Sequence, residues 1–105
     1  METYSIERNG GVCGVRLAGD LTAAVVPGLQ AALRQGLEAD VREVRFDLGG
    51  VSMLDSSGIG LLIATCNSLG TRKGRVSVIG VSPEIHQLLQ SMRLITRLNV
   101  TARAA

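Results

Sequence analysis

The chain has 105 residues, enough for one domain and little more. Its 46% hydrophobic and 19% charged content is that of a folded globular protein and sets disorder aside. A net charge of +2 is too small to define a nucleic-acid or membrane partner, and one Tyr, one Phe and no Trp offer no stacking platform for single-stranded nucleic acid. No apolar run approaches the ~20 residues of a membrane span. Met1-Glu2-Thr3-Tyr4 leads into an alternating segment without a signal peptide, so the expected location is the cytoplasm.

Tyr4 to Arg8 and Val12 to Ala18 flank Asn9-Gly10-Gly11, a hairpin signal because Asn and Gly tolerate positive φ. In the second arm Cys13, Val15 and Leu17 share one face and Arg16 takes the other. After Gly19-Asp20, Val26, Leu29, Leu33 and Leu37 recur at helical spacing, with Pro27 in the first turn and Gly36 at a fraying end. Val44, Phe46 and Leu48 alternate with Arg45 and Asp47 in a third strand that stops at Gly49-Gly50. Beyond Val51-Ser52-Met53-Leu54 and Asp55-Ser56-Ser57-Gly58, a second helix carries the stripe Ile59, Leu62, Ile63 and Cys66. Gly60 is expected to let that helix pack closely.

Gly70 to Gly74 reads as a turn, and the basic cluster Arg72-Lys73-Gly74-Arg75 as its solvated surface. Arg75 to Val81, rich in β-branched residues, is a buried strand. Ser82 as N-cap and Pro83 at the first position open a third helix with the stripe Ile85, Leu88, Leu89 and Met92. The tail from Leu94 to Val100 fits a short helix, a last strand, or both. The expectation is a single α/β domain over 1–105, ordered β-β-α-β-α-β-α plus a C-terminal tail. Its small mixed β-sheet has about four or five strands joined by right-handed crossovers, with helices packed mainly on one face.

The chemistry concentrates at Leu54-Asp55-Ser56-Ser57-Gly58-Ile59-Gly60, a strand-to-helix junction. Asp and Ser are favoured helix caps, so Asp55 or Ser56 has a structural role open to it. A phosphate on a serine here would add about −1.5 to −2 charge, which a helix N-terminus accommodates and a docked partner does not. Catalytic readings do worse. Neither serine lies in G-x-S-x-G, and the single histidine, His86, lies off the apolar stripe of the third helix. Cys13 and Cys66 read as small buried hydrophobes, make no disulfide framework, and with one His give no metal-ligand spacing. The glycines around Gly58 make no phosphate or dinucleotide loop, so no cofactor is expected.

These segments together resemble the STAS domain, shared by bacterial anti-sigma factor antagonists and the cytoplasmic tails of sulphate transporters. The resemblance spans nearly the whole chain. It is carried by Val15-Arg16-Leu17-Ala18-Gly19-Asp20-Leu21, by Val44-Arg45-Phe46-Asp47-Leu48, by Val78-Ile79-Gly80-Val81-Ser82-Pro83, and most specifically by Met53-Leu54-Asp55-Ser56-Ser57-Gly58-Ile59-Gly60.

The resemblance implies a binding module rather than an enzyme. It implies phosphorylation of Ser56 (Ser57 as second choice) by an anti-sigma factor that is itself a serine kinase, and reversal by a PP2C-type phosphatase. The unphosphorylated form would bind the anti-sigma factor and free the sigma factor. Asp20, Thr22, Asp55, Ser56, Ser57, Gly58 and Ile59 would form the partner surface of a monomer or weak dimer. The alternative within the same family is a constitutive scaffold subunit of an ABC-type lipid transport complex. Two departures stand out: Thr22 occupies a position that is acidic in many relatives, and Met92-Arg93-Leu94 stands where many have a small residue and glycine.

Overall fold

In the computed structural model, which describes residues 4–37 and 40–103, the hairpin turn forms with Gly10 at φ 64°. It joins β1 (Tyr4–Asn9) antiparallel to β2 (Val12–Leu17). The chain continues through α1 (Val26–Gly36), β3 (Glu43–Asp47), α2 (Ser56–Gly70), β4 (Arg75–Val81), α3 (Pro83–Ser91) and β5 (Val100–Ala102). The last four strands are parallel, and the five form one mixed sheet in the order β1-β2-β3-β4-β5. The ambiguous tail resolves into turns over 95–99 followed by β5. The segment on which the absence of a leader was read, residues 1–3, lies outside the described residues.

Strand periodicity sets the two faces of the sheet. Cys13, Val15, Leu17, Val44, Phe46, Leu48, Val76 and Val78 are almost completely buried. They meet Leu29 and Leu33 of α1, Leu61, Leu62 and Leu69 of α2, and Ile85 and Leu89 of α3 in one aliphatic core. Each such side chain contributes roughly 1.5–3 kcal/mol by leaving water. The opposite face is polar and satisfies itself. There the Glu43 carboxylate accepts from Ser77 Oγ at 2.8 Å, Arg45 Nη2 at 3.1 Å and Arg75 Nη2 at 3.3 Å, while Arg16 pairs with Asp47 at 3.5 Å. Burial would push the Glu43 carboxyl up, but the hydrogen bonds from Ser77 and Arg75 and the Arg45 charge outweigh it and hold it below its ordinary value.

Three details depart from the sequence reading. On α3 only Ile85 and Leu89 enter the core; Leu88 and Met92 are 37% and 46% exposed, because Leu94 and Leu98 of the tail fill the space beyond Leu89. On α2 the buried side also takes in Leu61, Thr65 and Leu69. Cys66 is only half-buried, its thiol facing the Arg97 carbonyl at 3.6 Å, whereas Cys13 is buried as expected. The close approach belongs to Gly58 and not to Gly60. A Cβ at Gly60 would meet nothing within 4 Å, whereas one at Gly58 would lie 2.5 Å from the Leu21 carbonyl oxygen.

Candidate functional site

The β2–α1 and β3–α2 loops are tied together at the C-terminal ends of their strands. Leu21 and Leu54 form a parallel bridge outside the main sheet, with Leu21 N–H donating to the Met53 carbonyl at 3.1 Å and Asp55 N–H to the Leu21 carbonyl at 3.3 Å. Leu21 and Leu54 both point into the core, at 0% and 6% exposure, and anchor the bridge from below.

Two carboxylates complete the tie. Asp20 Oδ1 accepts from Ser52 N–H at 3.1 Å and Met53 N–H at 3.0 Å. Asp55 is the N-cap of α2: its Oδ1 accepts from Gly58 N–H at 2.9 Å, and its Oδ2 crosses to the other loop to accept from Ala23 N–H at 3.0 Å. The N–H groups of Gly58 and Ala23 hold the Asp55 carboxyl below its ordinary value. The cap left open between Asp55 and Ser56 therefore falls to Asp55. Both acids, read as partner contacts, spend oxygens on backbone N–H groups and position the loops.

Gly58 sits where the two loops touch, its missing side chain making room for Leu21. Ser56 is the first residue of α2 and is exposed; Ser57 and Thr22 are half-exposed. Ile59 is buried at 7% exposure and points into the core rather than out to a partner. Seven residues singled out in the sequence thus gather at one place; Asp20 and Ser56 are exposed, Thr22, Asp55 and Ser57 are half-exposed, and Gly58 and Ile59 are buried. One surface residue was missed. Met53, three positions before Ser56, is 57% exposed. Its signal was available as the one large apolar residue between Ser52 and Asp55 that a strand-like alternation with buried Leu54 turns outward.

The chain segments that build the site carry few charges, and Glu84 and Arg103 line the groove beside Ser52. From Phe46 to Thr71 the sequence has no Lys, Arg, Glu or His, and its acids are Asp47 and Asp55; from Leu17 to Leu33 the sole charge is Asp20. Among the described residues no group of three His, Cys, Asp or Glu gathers to hold a metal ion.

The STAS domain profile matches residues 3–103. The chain belongs to the STAS domain family. It is similar to an anti-sigma-B factor antagonist from Staphylococcus aureus, 30% identical over 76 residues that make up 72% of this chain and 70% of that protein. An anti-sigma factor antagonist from Mycobacterium paratuberculosis has the same fold, with a TM-score of 0.79 at 24% identity over 93% of this chain and 83% of that one. So does the Bacillus cell fate determinant SpoIIAA in its phosphorylated form, with a TM-score of 0.74 at 24% identity over 96% of this chain and 91% of that one. The five-stranded mixed sheet with three helices is the STAS fold expected from the sequence. No described helix of this STAS domain is long and apolar enough to cross a membrane.

Proposed function

We propose that this STAS domain is an anti-sigma factor antagonist switched by phosphorylation of Ser56. The observation that carries the reading is the setting of Ser56: exposed at the first position of α2, on a loop pair fixed by five hydrogen bonds, where neither loop nor α2 contains a Lys or Arg. The name of the Staphylococcus aureus relative points to the same role. In this reading a serine kinase transfers the γ-phosphoryl group of ATP to Ser56 Oγ, with ADP and the serine hydroxyl proton leaving. A PP2C-type phosphatase hydrolyses the ester back to serine and inorganic phosphate. The kinase is the anti-sigma factor itself, which the unphosphorylated domain binds and thereby draws away from its sigma factor. The domain is substrate and ligand, not catalyst, and works in the cytoplasm.

The physics of the switch follows from the charge map. The phosphate adds about −1.5 to −2 charge. The N-terminal dipole of α2 favours that charge, so the fold holds. No Lys or Arg in either loop or in α2 neutralises it, so a partner that docks there must desolvate a dianion. Ser57, one position further into the helix and half-buried, is the less accessible hydroxyl.

The test is intact-mass spectrometry after incubation with ATP and a kinase-containing extract of the source cells. One phosphate gained by the wild type and by Ser57→Ala, but not by Ser56→Ala, is the expected result. A folded Ser56→Asp that no longer binds the anti-sigma factor completes it. No phosphate on the wild type overturns the switch and leaves the constitutive scaffold of a transport complex as the role to test.

A further inference from the structure

The hydrogen bonds of Asp20 go not to Ser56 or to α2 but to the backbone that leads to them. A single oxygen of its carboxylate, Oδ1, accepts from two successive amides across the loop pair, Ser52 N–H at 3.1 Å and Met53 N–H at 3.0 Å. Further along the same segment the Met53 carbonyl accepts from Leu21 N–H, the Leu54 side chain is sunk in the core, and Asp55 N–H donates to the Leu21 carbonyl. Ser56 follows at once as the first residue of α2. The segment reaches the serine pinned along its length, and Asp20 supplies the first two pins. Ser52 and Met53 are both exposed, so without Asp20 water would take their amides and free this stretch to swing. Transfer to Ser56 Oγ needs the hydroxyl aligned with the donor phosphate, and a misplacement of about 1 Å costs up to about 10²-fold in rate. The task needs no charge, since both bonds fall on one oxygen of a kind that an asparagine side chain also carries. An acid that met a cation of a partner would need its charge.

We infer that Asp20 is a positioning residue for phosphoryl transfer to Ser56, acting as an acceptor for two backbone N–H groups and not as a charge offered to the kinase. The inference rests on the reading of Ser56 as the phosphorylated residue and adds what holds it for the transfer.

The experiment measures initial rates of phosphate gain at Ser56 by intact mass, with ATP and kinase-containing source-cell extract, over a range of STAS-domain concentrations. Asp20→Ala is expected to lower the maximal rate about tenfold, with a smaller change in the half-saturating concentration, because the loosened turn is bound but seldom aligned. Asp20→Asn, which keeps the acceptor and loses the charge, is expected within about twofold of wild type in both. Amide hydrogen exchange is read alongside: Ser52 and Met53 should exchange faster in a folded Asp20→Ala and stay protected in Asp20→Asn. An Asp20→Asn variant slowed tenfold overturns the inference in favour of a charge contact, and so does an Asp20→Ala loss that lies wholly in the half-saturating concentration. Wild-type kinetics in Asp20→Ala overturn it as well and leave the switch in place. Should Asp20→Ala not fold, Asp20→Asn decides alone by the same criterion. A wild type that gains no phosphate overturns the switch and this inference with it.

Discussion

Two glycines two positions apart on α2 should respond to the same substitution with opposite signs. A methyl at Gly58 would sit 2.5 Å from the Leu21 carbonyl oxygen, 2.8 Å from Leu54 Cδ1 and 2.9 Å from Leu21 Cγ. The carbonyl oxygen cannot rotate away as a flexible side chain would. It is backbone, and it also accepts the Asp55 N–H that holds the loops together. Relief requires the β2–α1 loop to retreat by close to an ångström, with loss of the Leu21–Leu54 bridge. Overpacking of this kind costs about 1–3 kcal/mol, and each bridge hydrogen bond about 1 kcal/mol more. Against this, Ala in place of Gly gains about 1 kcal/mol of helix propensity. The net cost for Gly58→Ala is about 2–4 kcal/mol, or roughly 8–16 °C in the melting temperature of a domain of this size. At Gly60 the methyl meets open space on an exposed helical site, so only the gain remains, about 0.5–1 kcal/mol and a few degrees upward. Differential scanning calorimetry on the pair decides the matter. A Gly58→Ala variant that melts at or above the Gly60→Ala variant would refute the interlock of the two loops.

Two further outcomes test the frame around the site. The chain leaves α3 through Arg93 in the left-handed region at φ 59°, with Leu94 N–H bonded to the Leu89 carbonyl at 2.9 Å and Arg93 N–H to that of Gln90 at 3.0 Å. This is a Schellman exit, in which glycine is the favoured residue. Weighing a left-handed penalty of about 1–2 kcal/mol against the entropy of a freer unfolded chain, Arg93→Gly should stabilise by about 0.5–1 kcal/mol; a lower urea midpoint would contradict it. On the open sheet face, the Glu43 carboxyl is held below its ordinary value by Ser77, Arg75 and Arg45. Its contribution is therefore complete above the ordinary glutamate pKa of about 4.3 and is lost as pH falls through the lowered value in the fold. The stability gap between wild type and Glu43→Gln should be widest near neutral pH and close on acidification, as followed by urea unfolding across that range; an equal gap at both ends would contradict the assignment.

The fold was legible where one physical signal dominated. Period-two alternation marked β2 and β3, because one face of the sheet is buried against helices and the other is wet, and β-branched content marked β4. Ser82-Pro83 marked the start of α3, and the structure puts the Ser82 hydroxyl on Ile85 N–H at 3.2 Å. What escaped was set by tertiary contact. Nothing local tells that Gly58 rather than Gly60 faces a neighbouring backbone, since both occur in one helix and the neighbour, Leu21, is far away in sequence. The stripe of α3 was read too long because a helix pattern cannot show that Leu94 and Leu98 will return to fill the core past Leu89. Asp20 and Asp55 could be picked out as acids near a serine, but a carboxylate that caps backbone N–H groups and one that faces a partner have the same letter. Only the distances to Ser52, Met53, Gly58 and Ala23 separate the two roles.

That separation bears on Thr22, where many relatives are acidic. Hydrogen bonds from neutral N–H groups leave both carboxylates charged, so the face beside Ser56 carries Asp20 and Asp55 before modification, and Thr22 spares it a third acid. Under the proposed switch the phosphate adds about −1.5 to −2 charge to these, which a partner covering the face must desolvate. The loops need not move for this to happen, and their interlock resists movement. A Thr22→Asp substitution tests whether added negative charge alone weakens docking. It would place an acid beside Ser56 without touching the hydrogen bonds that hold the loops, so it should leave thermal stability nearly unchanged while weakening the unphosphorylated domain's affinity for its anti-sigma partner. Undiminished affinity in a folded Thr22→Asp variant would show that added negative charge on this face is not what the partner reads.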